Sequence, residues 1–186
     1  MRVKLLAGIG ILTLCMAPAV FAEDGFAKYE VFAGFSAQQI REPYMVNTDG
    51  DNWIGSKGVE ASFAKNLNPA LGVKADVGLA FGNAKDWGHS RRYTFLAGPQ
   101  FTKRGGSVDF FGHALAGFAR IDDDLPGARG RTANGFAMAF GGGIDWRFSP
   151  NVGWRVFQFD YLPIHASERF RHDMRWSTGV LIPLGE

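Results

Sequence analysis

Leu71-Gly72-Val73-Lys74-Ala75-Asp76-Val77-Gly78-Leu79-Ala80-Phe81-Gly82 is the stretch on which the fold turns. Leu71, Val73, Ala75, Val77, Leu79 and Phe81 fall on one parity. Gly72, Lys74, Asp76, Gly78, Ala80 and Gly82 fall on the other. A strict period of two over twelve residues is a strand, because successive side chains point to opposite faces. A helix would scatter these six apolar groups around its circumference.

Working outward, the pattern recurs. Tyr29, Val31, Ala33 and Phe35 oppose Glu30, Gly34 and Ser36. Trp53, Val59, Ala61 and Phe63 oppose Ser56, Gly58, Glu60 and Ser62. Tyr93, Phe95, Ala97 and Phe101 oppose Arg92, Thr94, Gly98 and Gln100. Towards the other end, Phe136, Met138, Phe140, Ile144 and Trp146 oppose Ala137, Ala139, Gly141, Gly143, Asp145 and Arg147. Met174, Trp176, Val180, Ile182 and Leu184 oppose Arg175, Ser177 and Gly179. Val108–Arg120 has no clear ranking of faces, with His113 placed inward. In Val152–Tyr161 the register slips near Arg155, which predicts a bulge; beyond it Phe157, Phe159 and Tyr161 share a face against Gln158 and Asp160. These segments make eight strands of about ten to twelve residues, near the ~9–11 that cross a membrane at a steep tilt.

The links between them alternate. Short turns are predicted at Asn66–Ala70, Lys103–Ser107 and Ser149–Asn151, rich in Asn, Gly and Pro. Longer links are predicted at Gln39–Asp51, Asn83–Ser90, Ile121–Asn134 and Pro163–Asp173. This rhythm implies an antiparallel up-and-down meander, with long loops at one end and tight turns at the other.

Composition agrees. The 186 residues include 25 Gly, 17 Phe, 5 Trp and 4 Tyr, a balance that disfavours helix and favours β-structure. A formal charge of +2 is too small for an electrostatic nucleic-acid binder, and one cysteine, Cys15, excludes a disulfide framework. Residues 1–22 carry Arg2 and Lys4, an apolar run from Leu5 to Met16, and Ala-Pro-Ala-Val-Phe-Ala, the pattern of a secretory signal peptide. Cleavage after Ala22 would remove Cys15 and leave 23–186 as one domain. The alternative is a lipoprotein box at Leu12-Thr13-Leu14-Cys15, which would retain Cys15 as a lipidated terminus.

Two features decide which face meets which solvent. The polar face is mostly Gly, Ala and Ser, which suits the cramped interior of an eight-stranded barrel. Tyr29, Trp53, Tyr93, Trp146, Trp154, Tyr161 and Trp176 mark strand ends, as in the aromatic girdles of a lipid-facing surface. The expected fold is therefore an all-β, eight-stranded antiparallel transmembrane barrel, destined for a bacterial outer membrane. Only closure satisfies every backbone group in lipid. On this assignment the lumen holds Glu30, Glu60, Asp76, Asp145 and Asp160 against Lys74, Arg92, Arg147 and Arg175, a network that would plug the barrel.

Gly141-Gly142-Gly143-Ile144-Asp145-Trp146-Arg147, then Arg155 and Gln158-Phe159-Asp160-Tyr161, resemble the small bacterial outer-membrane β-barrel family, with the architecture of OmpX-like barrels and the OmpA transmembrane domain. Phe111-Gly112-His113-Ala114-Leu115-Ala116-Gly117 and Ser177-Thr178-Gly179-Val180 fit the same pattern, and the resemblance spans residues 26–185. It implies recognition by the barrel-assembly machinery, although this chain ends Leu184-Gly185-Glu186 rather than on an aromatic residue.

Chemistry-bearing motifs are sparse. His165-Ala166-Ser167 resembles the His-x-Ser pair of lipid A deacylase barrels, where His would activate the Ser hydroxyl; no orienting carboxylate follows at a suitable spacing, and Glu168 is adjacent. The four His (89, 113, 165, 172) lack metal-ligand spacing. Asp122-Asp123-Asp124 reads as an acidic loop tip able to meet a divalent cation. Arg120, Arg129 and Arg131 in the third loop, and Arg169, Arg171 and His172 in the fourth, could meet lipopolysaccharide phosphates. The expected function is that of a non-enzymatic, monomeric barrel without cofactor or catalytic residues, serving envelope integrity or surface interaction through its long extracellular loops, with outer-membrane lipid and lipopolysaccharide as partners. The alternatives are a lipid A-modifying enzyme using His165 and Ser167, and a narrow solute channel.

Overall fold

A computed structural model describes residues 26–41, 53–84, 88–124 and 131–185. Residues 1–22 and Cys15, the segments 42–52 and 85–87, and Arg129 lie outside the described residues. The chain forms eight strands: β1 (Tyr29–Arg41), β2 (Trp53–Asn66), β3 (Leu71–Ala84), β4 (Gly88–Gly105), β5 (Val108–Asp124), β6 (Arg131–Ser149), β7 (Val152–Ala166) and β8 (Arg169–Leu184). Each pairs antiparallel with its neighbour, and β1 also pairs with β8, which closes the barrel.

The stagger is readable from the pairing. The row of partners runs from Ala33 through Ala61, Val77, Phe95, Phe118, Phe136 and His165 to Phe170. Ala33 meets β8 across the closing seam at Val180, ten residues along the strand from Phe170. A stagger of ten over eight strands belongs with a strand tilt of ~35–45°, so each residue climbs roughly 2.5 Å along the barrel axis.

The faces are inverted relative to a water-soluble barrel. Val59, Phe63, Val73, Val77, Phe95, Phe101, Phe118 and Phe140 are exposed, and Phe35 is 76% exposed. Glu60, Lys74, Asp76, Arg92, Asp160 and Arg175 are buried. The outward aromatics nearest the tight turns are Tyr29, Trp146, Phe148 and Trp154; those at the other end are Phe81, Tyr93, Phe136 and Phe170. Outward apolar residues from Leu184 up to Tyr93 span a band of ~25 Å, the height expected for the lipid-facing belt of an outer-membrane barrel. The strands run to 13–19 residues, longer than the ten to twelve expected. Tyr93, Tyr161 and Trp176 consequently sit within strands rather than at their ends, because the sheet continues above the apolar band.

The short turns lie where expected. In the first, Asn68 Oδ1 accepts from the Ala70 and Leu71 amides at 2.9 and 2.8 Å. In the second, Gly106 has φ +73°, a conformation that suits a residue without Cβ. Two long links contract. Ile121–Asn134 is mostly strand, so Asp122, Asp123 and Asp124 belong to β5 and not to a loop tip. Pro163–Asp173 is a tight hairpin: β7 and β8 are joined by Ser167 and Glu168 alone, at φ +51° and +63°. Positive φ at both central residues is the two-residue turn whose twist matches its flanking strands. His165 and Arg171 therefore stand on strands, with Ala166 facing Arg169.

Candidate functional site

The middle of the lumen is crossed by one hydrogen-bonded charge network. Arg175 on β8 reaches three carboxylates: Asp160 Oδ2 at 2.7 Å, Asp76 Oδ1 at 3.0 Å and Glu60 Oε2 at 3.3 Å. Gln158 donates to Glu60 at 2.8 Å and to Asp160 at 2.7 Å, and accepts from Arg155 at 2.9 Å. Lys74 approaches Asp76 at 3.7 Å and Gln158 at 3.4 Å, while His113 Nε2 meets Asp160 Oδ1 at 2.8 Å. Ser177 donates to Glu60 at 2.5 Å. These groups come from β2, β3, β5, β7 and β8, so the network spans the barrel rather than lining one wall.

Arg155 closes the level nearer the tight turns. Its guanidinium forms a two-pronged pair with Asp145, at 2.8 and 2.9 Å. It is stacked between Phe32 and Phe111, whose ring centroids lie 4.5 and 4.1 Å away. The mouth at the turn end is tied by Arg104 to Glu30 at 3.1 Å and by Arg147 to Asp109 at 2.9 Å. Towards the other end the lumen divides. Leu96, Leu115, Ala119, Ile121, Ala137, Ala139, Leu162, Ile164 and Ala166 pack as an apolar cluster on the β4–β7 side. Opposite, Arg92 pairs with Asp173, which also accepts from Gln38 at 3.2 Å.

All five acids and three of the four bases expected in the lumen are buried; Arg147 lies half-buried at the mouth. His113 points inward, and β7 carries a register shift between Arg155 and Gln158. Sequence reasoning missed Arg155, Asp109 and Asp173, the aromatics Phe32 and Phe111, and the apolar cluster. The bulge was the usable signal for Arg155, since it places Val156 and Phe157 both outward and leaves Arg155 inside.

The other candidate groups do not converge on one site. His165 is exposed on β7 and packs on Phe170 with ring centroids 4.6 Å apart, while Ser167 occupies the turn. No hydrogen bond joins His165 to Ser167 or Glu168 among the described residues. Asp122 is held by Arg120 at 3.2 Å and by Thr132 at 2.8 Å; Asp123 accepts from Ser90 at 2.6 Å and lies 3.9 Å from Arg171. No group of three potential metal ligands occurs among the described residues. His172 stacks on and hydrogen-bonds to Tyr161. Arg131 and Arg169 begin β6 and β8.

No family model matches the chain, and no curated protein matches it in sequence. Solved structures do match in shape. Neisserial surface protein A superposes with a TM-score of 0.70 at 14% identity, over 87% of this chain and 100% of that one. Ail, the attachment invasion locus protein of Yersinia pestis, gives 0.58 at 15% identity, over 85% and 99%. The outer membrane protein OprG from Pseudomonas aeruginosa gives 0.51 at 11% identity, over 84% and 95%. With its closed eight-stranded sheet and inverted faces, the chain has the fold of the small outer-membrane β-barrels.

Proposed function

We propose that this chain is a non-enzymatic outer-membrane barrel that spans the bilayer as a monomer and serves envelope integrity or surface interaction through its upper end, the one opposite the tight turns that join β2 to β3, β4 to β5 and β6 to β7. One observation carries this reading: the surface and the interior are exchanged. A band of exposed Phe, Val, Trp and Ile surrounds a lumen filled by paired charges. In water, an apolar surface of this extent would drive aggregation; in lipid it is the favourable side of the protein. Residues 1–22 are read as the removable export signal, and the barrel-assembly machinery and outer-membrane lipid as the partners met on the way. The absence of a joined nucleophile and base at His165 and Ser167 favours a scaffold over a lipid A-modifying enzyme.

The test is membrane fractionation combined with gel mobility before and after heating. The expected result is recovery with the outer membrane and a faster-running unheated band, since a closed barrel has no free edge from which detergent can unzip it. Recovery in the soluble periplasm with no mobility shift would reject the reading.

A further inference from the structure

We infer that the outward face of β2–β5, at the upper edge of the apolar band, is a binding site for the phosphate groups of a phosphorylated outer-leaflet glycolipid. The inference rests on the membrane-embedded reading above. Paired residues in register place Lys57 opposite Phe81, Phe81 opposite Arg91, and Arg91 opposite Asp122. One step lower on the same face, Tyr93 stands opposite Arg120. Lys57 and Arg91 are exposed, and the Arg120 side chain is 51% exposed. The stagger and tilt put these three cations ~25–31 Å above Leu184, where the apolar band ends and lipid headgroups begin.

Three features make the cluster a binding surface rather than ordinary surface charge. Neither Lys57 nor Arg91 forms a hydrogen bond or ion pair with any described residue. Among the described residues two acids share this face, Asp122 opposite Arg91 and Asp124 one register position higher; Asp122 already accepts from Arg120 and Thr132, and three cations against two acids leave positive charge in excess. The far side of the barrel at this height carries Pro163, His165, His172, Met174, Asn134 and Phe136, with no Lys or Arg among them. The cationic side thus has a direction.

The surroundings favour a lipid as occupant. Below the cations, Val77, Leu79, Tyr93, Phe95 and Phe118 form a continuous apolar bed on β3–β5, on which acyl chains can lie while a phosphate reaches Arg91 and Arg120. A recess of about 330 Å³ beside Arg91, lined by Phe81, Gly82, His89 and Ser90, offers room for a sugar. Arg91 and Arg120 are diagonal neighbours on adjacent strands, close enough to share one phosphate; Lys57 lies two strands from Arg91, placed for a second.

The experiment is native mass spectrometry of the folded protein in detergent, titrated with bisphosphorylated lipid A. Lys57→Gln/Arg91→Gln/Arg120→Gln should weaken binding by about tenfold or more, Arg91→Gln alone by about threefold, and Lys103→Gln, at the opposite end, not at all. Lipid A stripped of both phosphates, with its acyl chains intact, should bind wild type as weakly as the triple variant binds the intact lipid. Unchanged binding by the triple variant, provided its heat-modifiable mobility shows it folded, would overturn the site. Equal binding of the dephosphorylated lipid, or of phosphatidylglycerol, would overturn the phosphorylated glycolipid as its occupant. A wild-type protein that never shows the mobility shift would overturn the membrane reading itself, and the site with it.

Discussion

Arg175 faces three carboxylates in a space from which water is largely excluded, and Gly78 on β3 makes that reach possible. A Cβ on Gly78 would lie 2.8 Å from the Arg175 Nη1 atom and 2.6 Å from Thr94 Oγ1. A buried ion pair adds little over a well-packed apolar pair, but removing one partner strands the other charge. Arg175→Ala should therefore destabilise the folded barrel by about 3–5 kcal/mol, read as a drop in the urea midpoint of unfolding from detergent or vesicles. A loss below about 1 kcal/mol would mean that water or Lys74 compensates the freed acids. This network was legible in outline, because Glu60, Asp76, Asp160 and Arg175 sit on the non-lipid parity of strongly alternating strands. Phe32 and Phe111 were not legible. Alternation puts Phe32 on the parity of Glu30, Gly34 and Ser36, but an aromatic ring there has no reason until the Arg155 guanidinium beside both rings supplies one.

The elements whose pattern was weakest are those with a second demand on them. β5 buries Leu115, Ala119 and Ile121 against the apolar half of the lumen and Phe111 against Arg155, while exposing Phe110 and Phe118 to lipid. With apolar groups on both faces a period of two vanishes, which is why the ranking of this strand failed although its existence did not. The β7–β8 connection failed for another reason. Polar residues from His165 to Asp173 read as a loop, but above the apolar band a strand needs no lipid-facing hydrophobicity and keeps only its backbone ladder. The two turn residues then take positive φ without being Gly or Asn, at a conformational cost. Ser167→Asn with Glu168→Gly should stabilise the barrel by about 1 kcal/mol, and Glu168→Val should destabilise it by a similar amount. Thermal unfolding of the folded protein in detergent gives the sign. An unchanged midpoint in both variants would mean that the hairpin end frays without cost.

At the scale of the whole molecule, two barriers of different chemistry stand in series along one lumen. The charged stretch, from Arg155 clamped between Phe32 and Phe111 nearer the tight turns to Arg175 among its acids in the middle, fills the cross-section. Above it the apolar cluster seals the β4–β7 side while Arg92, Asp173 and Gln38 occupy the rest. An eight-stranded interior has room for side chains and little else, so a continuous water path needs both levels opened together. The balance of Gly, Ala and Ser on the inward parity pointed to a filled interior; the apolar level did not show, because Leu115 and Ile121 resemble lipid-facing residues until their register is known. Series barriers give a distinctive expectation. Wild type in a planar bilayer should show no steady unitary conductance. Arg155→Ala should remain silent because the apolar level persists, and Leu115→Gly/Leu162→Gly should remain silent because the charged level persists. Even the combination leaves the Arg175 network across the barrel, so only Arg155→Ala/Arg175→Ala together with Leu115→Gly/Leu162→Gly should conduct. Steady channels from Arg155→Ala alone would place the whole barrier at the charged level, and steady channels from wild type would contradict a sealed lumen.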